Sequence, residues 1–269
     1  MFNIILLTLL LGVCHTAYAQ NSSTIIGARS NGMANASSSL YDVWSIFGNP
    51  AGLASINQSR IACTYDAAPA FAPFNRMALA AVVPLPHGVA AAGVYKFGDA
   101  LYNEQLLSAG YANKVGLASL GLKVNYIQYT AESFGRKGVV TFSLGGIAEL
   151  TPWLLVGAHI ANINQPEVAT GEKLPTRLHA GIGIRPIEKC FIAIDVEKDL
   201  DFDPTIKAGV EYELYKKIIL RTGFNLSPHA GFAGIGFRPS RFELDYAYSY
   251  MLNLGTRHQA SVSYKINKK

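Results

Sequence analysis

Residues 176–186, TRLHAGIGIRP, place Leu178, Ala180, Ile182 and Ile184 on one parity and Arg177, His179, Gly181, Gly183 and Arg185 on the other. Successive side chains of a strand point to opposite faces, so the segment reads as a strand with one apolar and one polar face. The alternation returns at 204–215, with Ile206, Ala208, Val210, Tyr212 and Leu214 opposed to Lys207, Gly209, Glu211 and Glu213. It returns again at 242–250, with Phe242, Leu244, Tyr246, Tyr248 and Tyr250 opposed to Glu243, Asp245, Ala247 and Ser249. Fourteen such segments are predicted, at about 59–67, 76–85, 88–98, 103–114, 118–130, 138–150, 154–163, 176–186, 190–198, 204–215, 218–227, 231–239, 242–251 and 256–267. Only the second and third alternate poorly.

Most of these segments are long enough to cross a bilayer at the usual tilt of a barrel strand. Their connections alternate in length. Tight turns fall at 84–87, 151–153, 186–189, 216–217 and 239–240, and longer loops at 67–75, 132–138 and 164–175. Short turns at one end and longer loops at the other are the pattern of outer-membrane barrels, whose even strand number leaves both termini in the periplasm. Charged residues make up 15% of the chain, against about 25% in soluble domains. That is too few to wet the outside of a soluble sandwich or secreted barrel. Aromatic residues near strand ends on the apolar face, such as Tyr126, Tyr212, Phe224, Phe242 and Tyr250, suit an interfacial girdle. The predicted fold is an all-β, 14-stranded antiparallel transmembrane β-barrel with an N-terminal helical plug. Its last strand must pair with its first, because an open edge in hydrocarbon leaves backbone groups unsatisfied.

The first nineteen residues read as a secretory signal peptide: the apolar run IILLTLLLGV, then Ala17-Tyr18-Ala19 as a cleavage site before Gln20. The n-region has no Lys or Arg, and Cys14 offers a rival reading as a lipidated cysteine. The organisation is therefore a leader at 1–19, a plug segment at 20–58 and a barrel at 59–269. The longest apolar run, Ala78 to Val94, is broken by Pro84, Pro86 and His87, so no spanning helix is expected. Cys63 and Cys190 read as separate, small buried residues rather than a disulfide. The net charge of +5 is spread evenly, with no basic block interleaved with aromatics, which argues against nucleic acid as a partner.

If the apolar faces meet lipid, the polar faces line the lumen. Arg177 and Arg185 then face Asp195 and Glu197; Lys207, Glu211 and Glu213 follow, then Arg221, Arg238, Glu243 and Asp245. Neighbouring walls carry opposite signs. This points to ion pairs that brace the wall rather than a selective pore, which would show one dominant sign. Wall side chains fill a barrel of about eight strands, so fourteen need another filler. Residues 25–58 are suited to the task. Leu40, Val43, Trp44 and Phe47 fall on one face of a short helix. Asn49 caps the next turn, Pro50 takes its first position, and Gly52 allows close packing.

Three stretches carry a resemblance: GARSNGMANA from Gly27, then Asp42-Val43-Trp44, then Asn49-Pro50-Ala51-Gly52-Leu53-Ala54. Together with the closing stretch Leu254 to Tyr264, the chain resembles the PorV/PorQ family of Bacteroidota outer-membrane proteins, itself similar to the FadL fatty-acid transporters. The resemblance implies a fourteen-stranded barrel with the Asn-Pro-Ala tripeptide in an N-terminal hatch built on Asp42, Trp44, Phe47, Asn49, Pro50 and Gly52. It implies an accessory subunit of an outer-membrane secretion or assembly complex, type IX-like, whose partners are outer-membrane lipids and other outer-membrane or periplasmic proteins. A FadL-like passive channel for small hydrophobic molecules is the alternative. The chain is shorter than those proteins, and it ends in Ile266-Asn267-Lys268-Lys269 rather than an aromatic residue.

No enzyme is expected. The sequence has no G-x-S-x-G, phosphate loop or H-E-x-x-H. His159 and His179 fall on neighbouring predicted strands facing the lumen, but no third metal ligand accompanies them. Asp199, Asp201 and Asp203 open like a calcium loop, yet Pro204 stands where the glycine is needed. No metal or cofactor is implied.

Overall fold

A computed structural model describes residues 24–132, 135–169, 171–199, 203–252 and 254–266. The predicted leader, Cys14 and the first residues of the plug span lie outside them. Fourteen antiparallel strands close a barrel. They are β1 (Arg60–Ala67), β2 (Arg76–Leu85), β3 (Gly88–Gly98), β4 (Tyr102–Val115), β5 (Ala118–Ala131), β6 (Gly135–Thr151), β7 (Leu154–Ala161), β10 (Arg177–Ile187), β11 (Cys190–Asp199), β12 (Thr205–Tyr215), β13 (Ile218–Asn225), β14 (Ala230–Phe237), β15 (Phe242–Met251) and β16 (Gly255–Lys265). Closure runs from Arg60 opposite Lys265 to Ala67 opposite His258. The two extra strands, β8 (Glu167–Ala169) and β9 (Glu172–Lys173), form a small hairpin within the connection from β7 to β10, which sequence alternation does not reveal.

The tight turns after β2, β4, β6, β10, β12 and β14 lie at the same end as Arg60 and Lys265, here the turn end. The opposite, loop end carries the longer connections at 68–75 and 162–176. Within the barrel wall, among the described residues, register shifts fall at the turn end, at Glu149/Thr151, Ile184/Ile187 and Glu213/Tyr215. Between them the hydrogen-bond ladder runs unbroken around the described wall.

The outside is apolar. Leu79, Leu107, Leu122, Phe142, Ile182, Ile206, Leu220, Ile235 and Leu244 all face outward and are exposed, as are the girdle residues Tyr126, Tyr212, Phe224, Phe242 and Tyr250. A surface of this extent is stable against lipid, not water. Cys63 departs from the expectation of burial: it belongs to the outward parity of β1 and is exposed, while Cys190 is half-buried. Ala62 and Thr64 take the inward parity of β1, so Cys63 between them faces lipid.

That core is built by residues 24–58. Ala28–Asn31 forms one helical turn, α1, and two single 3-10 turns follow at Val43–Ile46 and Pro50–Leu53. The expected helix through Leu40, Val43, Trp44 and Phe47 is thus shorter and tighter. Gly48 and the residue before Pro50 stop it, since a residue preceding proline is driven out of the α region. Asp42 caps the first 3-10 turn by accepting the Trp44 N–H at 2.9 Å, and Asn49 caps the second by accepting the Ala51 N–H at 3.1 Å.

The expectation of a uniformly polar lumen is corrected on one side. The inner faces of β1–β6 carry Ala62, Ala78, Ala80, Val82, Val89, Ala91, Tyr95, Leu106, Ala112, Ile127 and Val139, clustered with Ile26, Val43, Trp44, Ile46, Phe47 and Leu53. Here both faces are apolar, one against lipid and one against the segment. This accounts for the poor alternation of the second and third strands.

The segment reaches the wall through inward glycines. A Cβ on Gly93 would stand 2.6 Å from the Phe47 ring, one on Gly121 2.4 Å from the Pro50 carbonyl carbon, and one on Gly157 2.0 Å from the Ser38 carbonyl oxygen. On the far side Gly209 and Gly223 take Met33 and Ala34, with a Cβ 2.6 and 2.8 Å from them. Gly121 faces Gly145, Gly157 faces Gly181, and Gly209 faces Gly223 directly across strand pairs.

Neighbouring glycines on opposite faces test this fit. A Cβ on inward Gly145 would lie 2.0 Å from Asn49 Oδ1, whereas one on outward Gly146 meets nothing nearer than 3.7 Å. Gly145→Ala is expected to destabilise the docked segment by about 1–3 kcal/mol through overpacking and to expose Arg29, the one tryptic site between residues 24 and 58. Gly146→Ala should leave cleavage of the folded barrel at wild-type rates. Limited trypsinolysis with mass spectrometry reads both.

Candidate functional site

The candidate site is the lumen surface around the segment. Asn49 anchors it. Its Nδ2 donates to the Ser38 carbonyl at 2.6 Å and to the wall carbonyls of Gly146 and Ala158 at 3.2 and 3.4 Å. One side chain therefore closes the segment on itself and ties it to β6 and β7. Pro50 and Gly52 are buried beside it, and a Cβ on Gly52 would come within 2.3 Å of both the Leu40 carbonyl and the Ser45 hydroxyl. Trp44 and Phe47 stack at 6.4 Å between centroids, and Phe47 also meets Tyr95 at 6.3 Å. Lys123 of β5 donates its ammonium to the Ile46 and Gly48 carbonyls at 3.1 and 2.8 Å, closing the end of the first 3-10 turn. Sequence reasoning missed Lys123; its signal is a lone lysine on the inner parity of an otherwise uncharged strand.

The charged half of the wall is β10–β16, and Arg29 of the segment enters it. Its guanidinium makes a two-pronged contact with Glu211, both bonds 2.9 Å, donates to the Tyr41 carbonyl at 3.1 Å, and stands 3.5 Å from Asp42. Glu211 is shared with Arg221 at 2.6 Å and lies 3.9 Å from Arg238, and Arg221 continues to Asp245 at 2.7 Å. Paired, planar geometry of this kind is among the strongest charge-assisted contacts. Burial lowers the Arg29 pKa, but Glu211 outweighs this and the net shift is upward. Burial pushes the Asp42 carboxyl above its ordinary range, against the pull of Arg29 and the Trp44 N–H. The structure thus brings together Glu211, Arg221, Arg238 and Asp245 from the predicted wall charges and adds Arg29.

The other predicted charges divide into local groups. Glu243 bonds Arg60 at 3.0 Å and Lys265 at 3.1 Å near the closure of the barrel. Glu197 bonds Lys207 and lies 3.7 Å from His179 Nδ1. Arg177 bonds Asp199 at 3.1 Å, which places that aspartate in an ion pair rather than a calcium loop; Asp201 lies outside the described residues. Arg185 stacks over the Phe191 ring at 5.5 Å. Asp195 turns to the segment and accepts the Ser38 N–H at 2.8 Å. A further cluster, Asp66 with Arg76 and Arg257, was not anticipated. Its members share the inner parity of β1, β2 and β16 and meet where closure sets β16 beside β1.

His159 and His179 are directly paired across β7 and β10, their rings stacked at 4.2 Å and 10°. Among the described residues no three His, Cys, Asp or Glu side chains are placed to hold a metal ion.

Two cavities open among the described residues of the lumen. One, about 40 Å³, lies toward the loop end, where apolar Phe47, Leu106, Ile127 and Leu174 share the lining with polar Glu104, Lys123, His159, Arg177 and His179. The other, about 190 Å³, opens near the turn end among Arg29, Ser39, Tyr41, Arg185, Phe191, Glu211 and Arg238.

The fold is that of outer-membrane channels. The chain superposes on the Pseudomonas putida toluene transporter TodX with a TM-score of 0.70, at 13% identity, over 92% of this chain and 100% of that one. It matches the Ralstonia pickettii toluene transporter TbuX with a TM-score of 0.66, at 12% identity, over 91% and 100%. The Acinetobacter baumannii outer membrane protein Omp33 matches with a TM-score of 0.52, at 7% identity, over 78% and 98%. No protein-family model and no curated protein matches the chain.

Removing Arg29 takes two bonds from Glu211, which keeps Arg221, and leaves the largely buried Asp42 carboxylate without its cation. Arg29→Ala is expected to destabilise the folded barrel by about 3 kcal/mol, read as a lower urea midpoint in detergent. Combining it with Glu211→Gln should cost less than the sum of the two single changes.

Proposed function

We propose that the protein is a passive outer-membrane channel for small hydrophobic molecules, with residues 24–58 as its plug and both termini on the periplasmic side. The observation that carries this reading is the apolar half-lumen. The inner faces of β1–β3 present an apolar surface through Ala62, Ala78, Ala80, Val82, Val89, Ala91 and Tyr95, extended by Leu106, Ala112, Ile127 and Val139 on β4–β6, where Ser108, Lys123 and Asn125 interrupt it. A barrel serving polar solutes has no use for such a lining, while an apolar solute gains by leaving water along it. The shared fold with two toluene transporters supports the same reading. The loop-end cavity, about 40 Å³, stops at His159 and His179, so passage requires the plug to shift.

A second reading, an accessory subunit of a secretion or assembly complex as the PorV/PorQ resemblance implies, draws on one observation. The loop end displays an aromatic cluster in which Phe71 and Phe74 meet at 4.6 Å and Phe74 and Phe97 at 5.9 Å, with Phe71 exposed. Such a rim suits a protein partner as well as an apolar solute.

Expression in a Gram-negative host whose intact outer membrane excludes hydrocarbons separates the two. Under the channel reading, toluene uptake rises above the empty-vector control, uptake of a hydrophilic sugar does not, and deletion of residues 25–54 raises toluene uptake further. No rise with either form would overturn the channel reading. A stoichiometric partner recovered from native membranes would then favour the subunit.

A further inference from the structure

The six tight turns at the turn end divide by charge into two arcs of the rim. Those joining β2 to β3, β4 to β5 and β6 to β7 are Pro86-His87, Gly116-Leu117 and Pro152-Trp153, with no formal charge. The charges that flank them, Lys114 and Glu149, pair with each other at 3.0 Å. The turns joining β10 to β11, β12 to β13 and β14 to β15 are Glu188-Lys189, Lys216-Lys217 and Arg238-Pro239-Ser240-Arg241, five cations against one carboxylate. These three turns follow one another around the wall. A surplus of charge that looks even along the sequence is therefore gathered by closure on one side of one end.

The cations of this arc lack partners. Lys189, Lys216, Lys217 and Arg241 are exposed, and none of them forms an ion pair among the described residues. Arg238 comes no nearer than 3.9 Å to Glu211, a carboxylate already bonded to Arg29 and Arg221. The residues adjoining the three turns, Ile187, Tyr215 and Phe242, are apolar or aromatic and exposed on the outer wall. A cation one residue beyond such a side chain stands at headgroup depth, where long Lys and Arg chains run along the interface. On the other arc the exposed tips are Leu117 and Trp153, which belong nearer the acyl chains. An acidic soluble protein would meet the cations and leave Leu117 and Trp153 in water. A lipid leaflet serves both arcs at once.

We infer that the arc of Lys189, Lys216, Lys217, Arg238 and Arg241 binds anionic phospholipid headgroups of the leaflet at the turn end, while the uncharged arc sits deeper. Each Lys or Arg near an anionic surface strengthens binding roughly fivefold, and the attraction fades within a Debye length. The lysines meet phosphate as point charges, and the Arg241 guanidinium offers a planar fork. The inference goes beyond the channel reading and requires only that the barrel cross the membrane.

The test is quenching of tryptophan by dibrominated lipids, in the full-length protein folded into symmetric vesicles, where the direction of insertion does not matter. Trp153→Phe removes the exposed tryptophan, and Trp44 stays buried in the lumen. In that background Tyr215→Trp reports the cationic arc and Leu117→Trp the uncharged one, nearly opposite in the strand order. At each site, dibrominated phosphatidylglycerol is compared with dibrominated phosphatidylcholine at equal mole fraction. Phosphatidylglycerol is expected to be preferred about fivefold at position 215, the scale of one cation at an anionic surface, and not at position 117. The preference at 215 should vanish with Lys216→Gln, Lys217→Gln and Arg241→Gln combined, and should weaken in raised salt. Equal preference at the two sites, or a preference that survives the triple change, would overturn the inference. Should the triple variant fail to fold, a preference at 215 that is indifferent to salt would overturn it as well. No preference at 215 would also overturn it and leave the arc to an acidic protein. Toluene uptake is not part of the readout, so the channel reading stands or falls separately.

Discussion

Backbone contact between an irregular segment and a belt of wall glycines is the constraint on which the rest of the molecule depends. A closed barrel of fourteen strands solves the hydrogen-bond problem of hydrocarbon but encloses more space than its own inner side chains fill. Residues 24–58 fill it only because Gly93, Gly121, Gly145, Gly157, Gly209 and Gly223 let carbonyls, a proline and an asparagine come within van der Waals reach of the wall. Glycine weakens a strand elsewhere; here it exchanges strand propensity for an internal core.

The two halves of the lumen hold the segment by different means. On β1–β3 the contact is apolar, with Trp44, Ile46, Phe47 and Leu53 against small wall residues, and on β5 and β6 Lys123 and the Gly146 carbonyl add polar ties. On β10–β16 it is polar, with Arg29 completing an ion-pair network that contains Glu211, Arg221 and Asp245. Apolar contact is non-directional and tolerates sliding, whereas the two-pronged Arg29–Glu211 contact fixes position.

Strand count, order and facing were legible because period two leaves a plain trace when one face meets lipid. Fourteen predicted strands correspond to the fourteen of the wall, each boundary within about three residues, as expected of pattern-based boundaries. The charges named on β10–β15 all belong to the inner parity for the same reason. What escaped notice follows physical rules as well. The β8–β9 hairpin is too short to show a period, and Asp66 meets Arg257 only because closure sets β16 beside β1. Cys63 was misplaced because burial was assumed to follow apolar character, a rule that inverts where the solvent is lipid.

The sequence by itself determined the barrel, because alternation, strand length and low charge leave a membrane-crossing closed sheet as the structure that satisfies every strand. It also marked Asn49, Pro50 and Gly52 as an unusual turn before that sheet. Only the tertiary structure decided what the turn is for. Asn49 bonds carbonyls of Gly146 and Ala158, residues about a hundred positions away, and Arg29 finds Glu211 across the lumen. Such contacts depend on which strands closure brings to face the segment. No local pattern encodes that distance, and so the inside of the barrel could be read only once the barrel was closed.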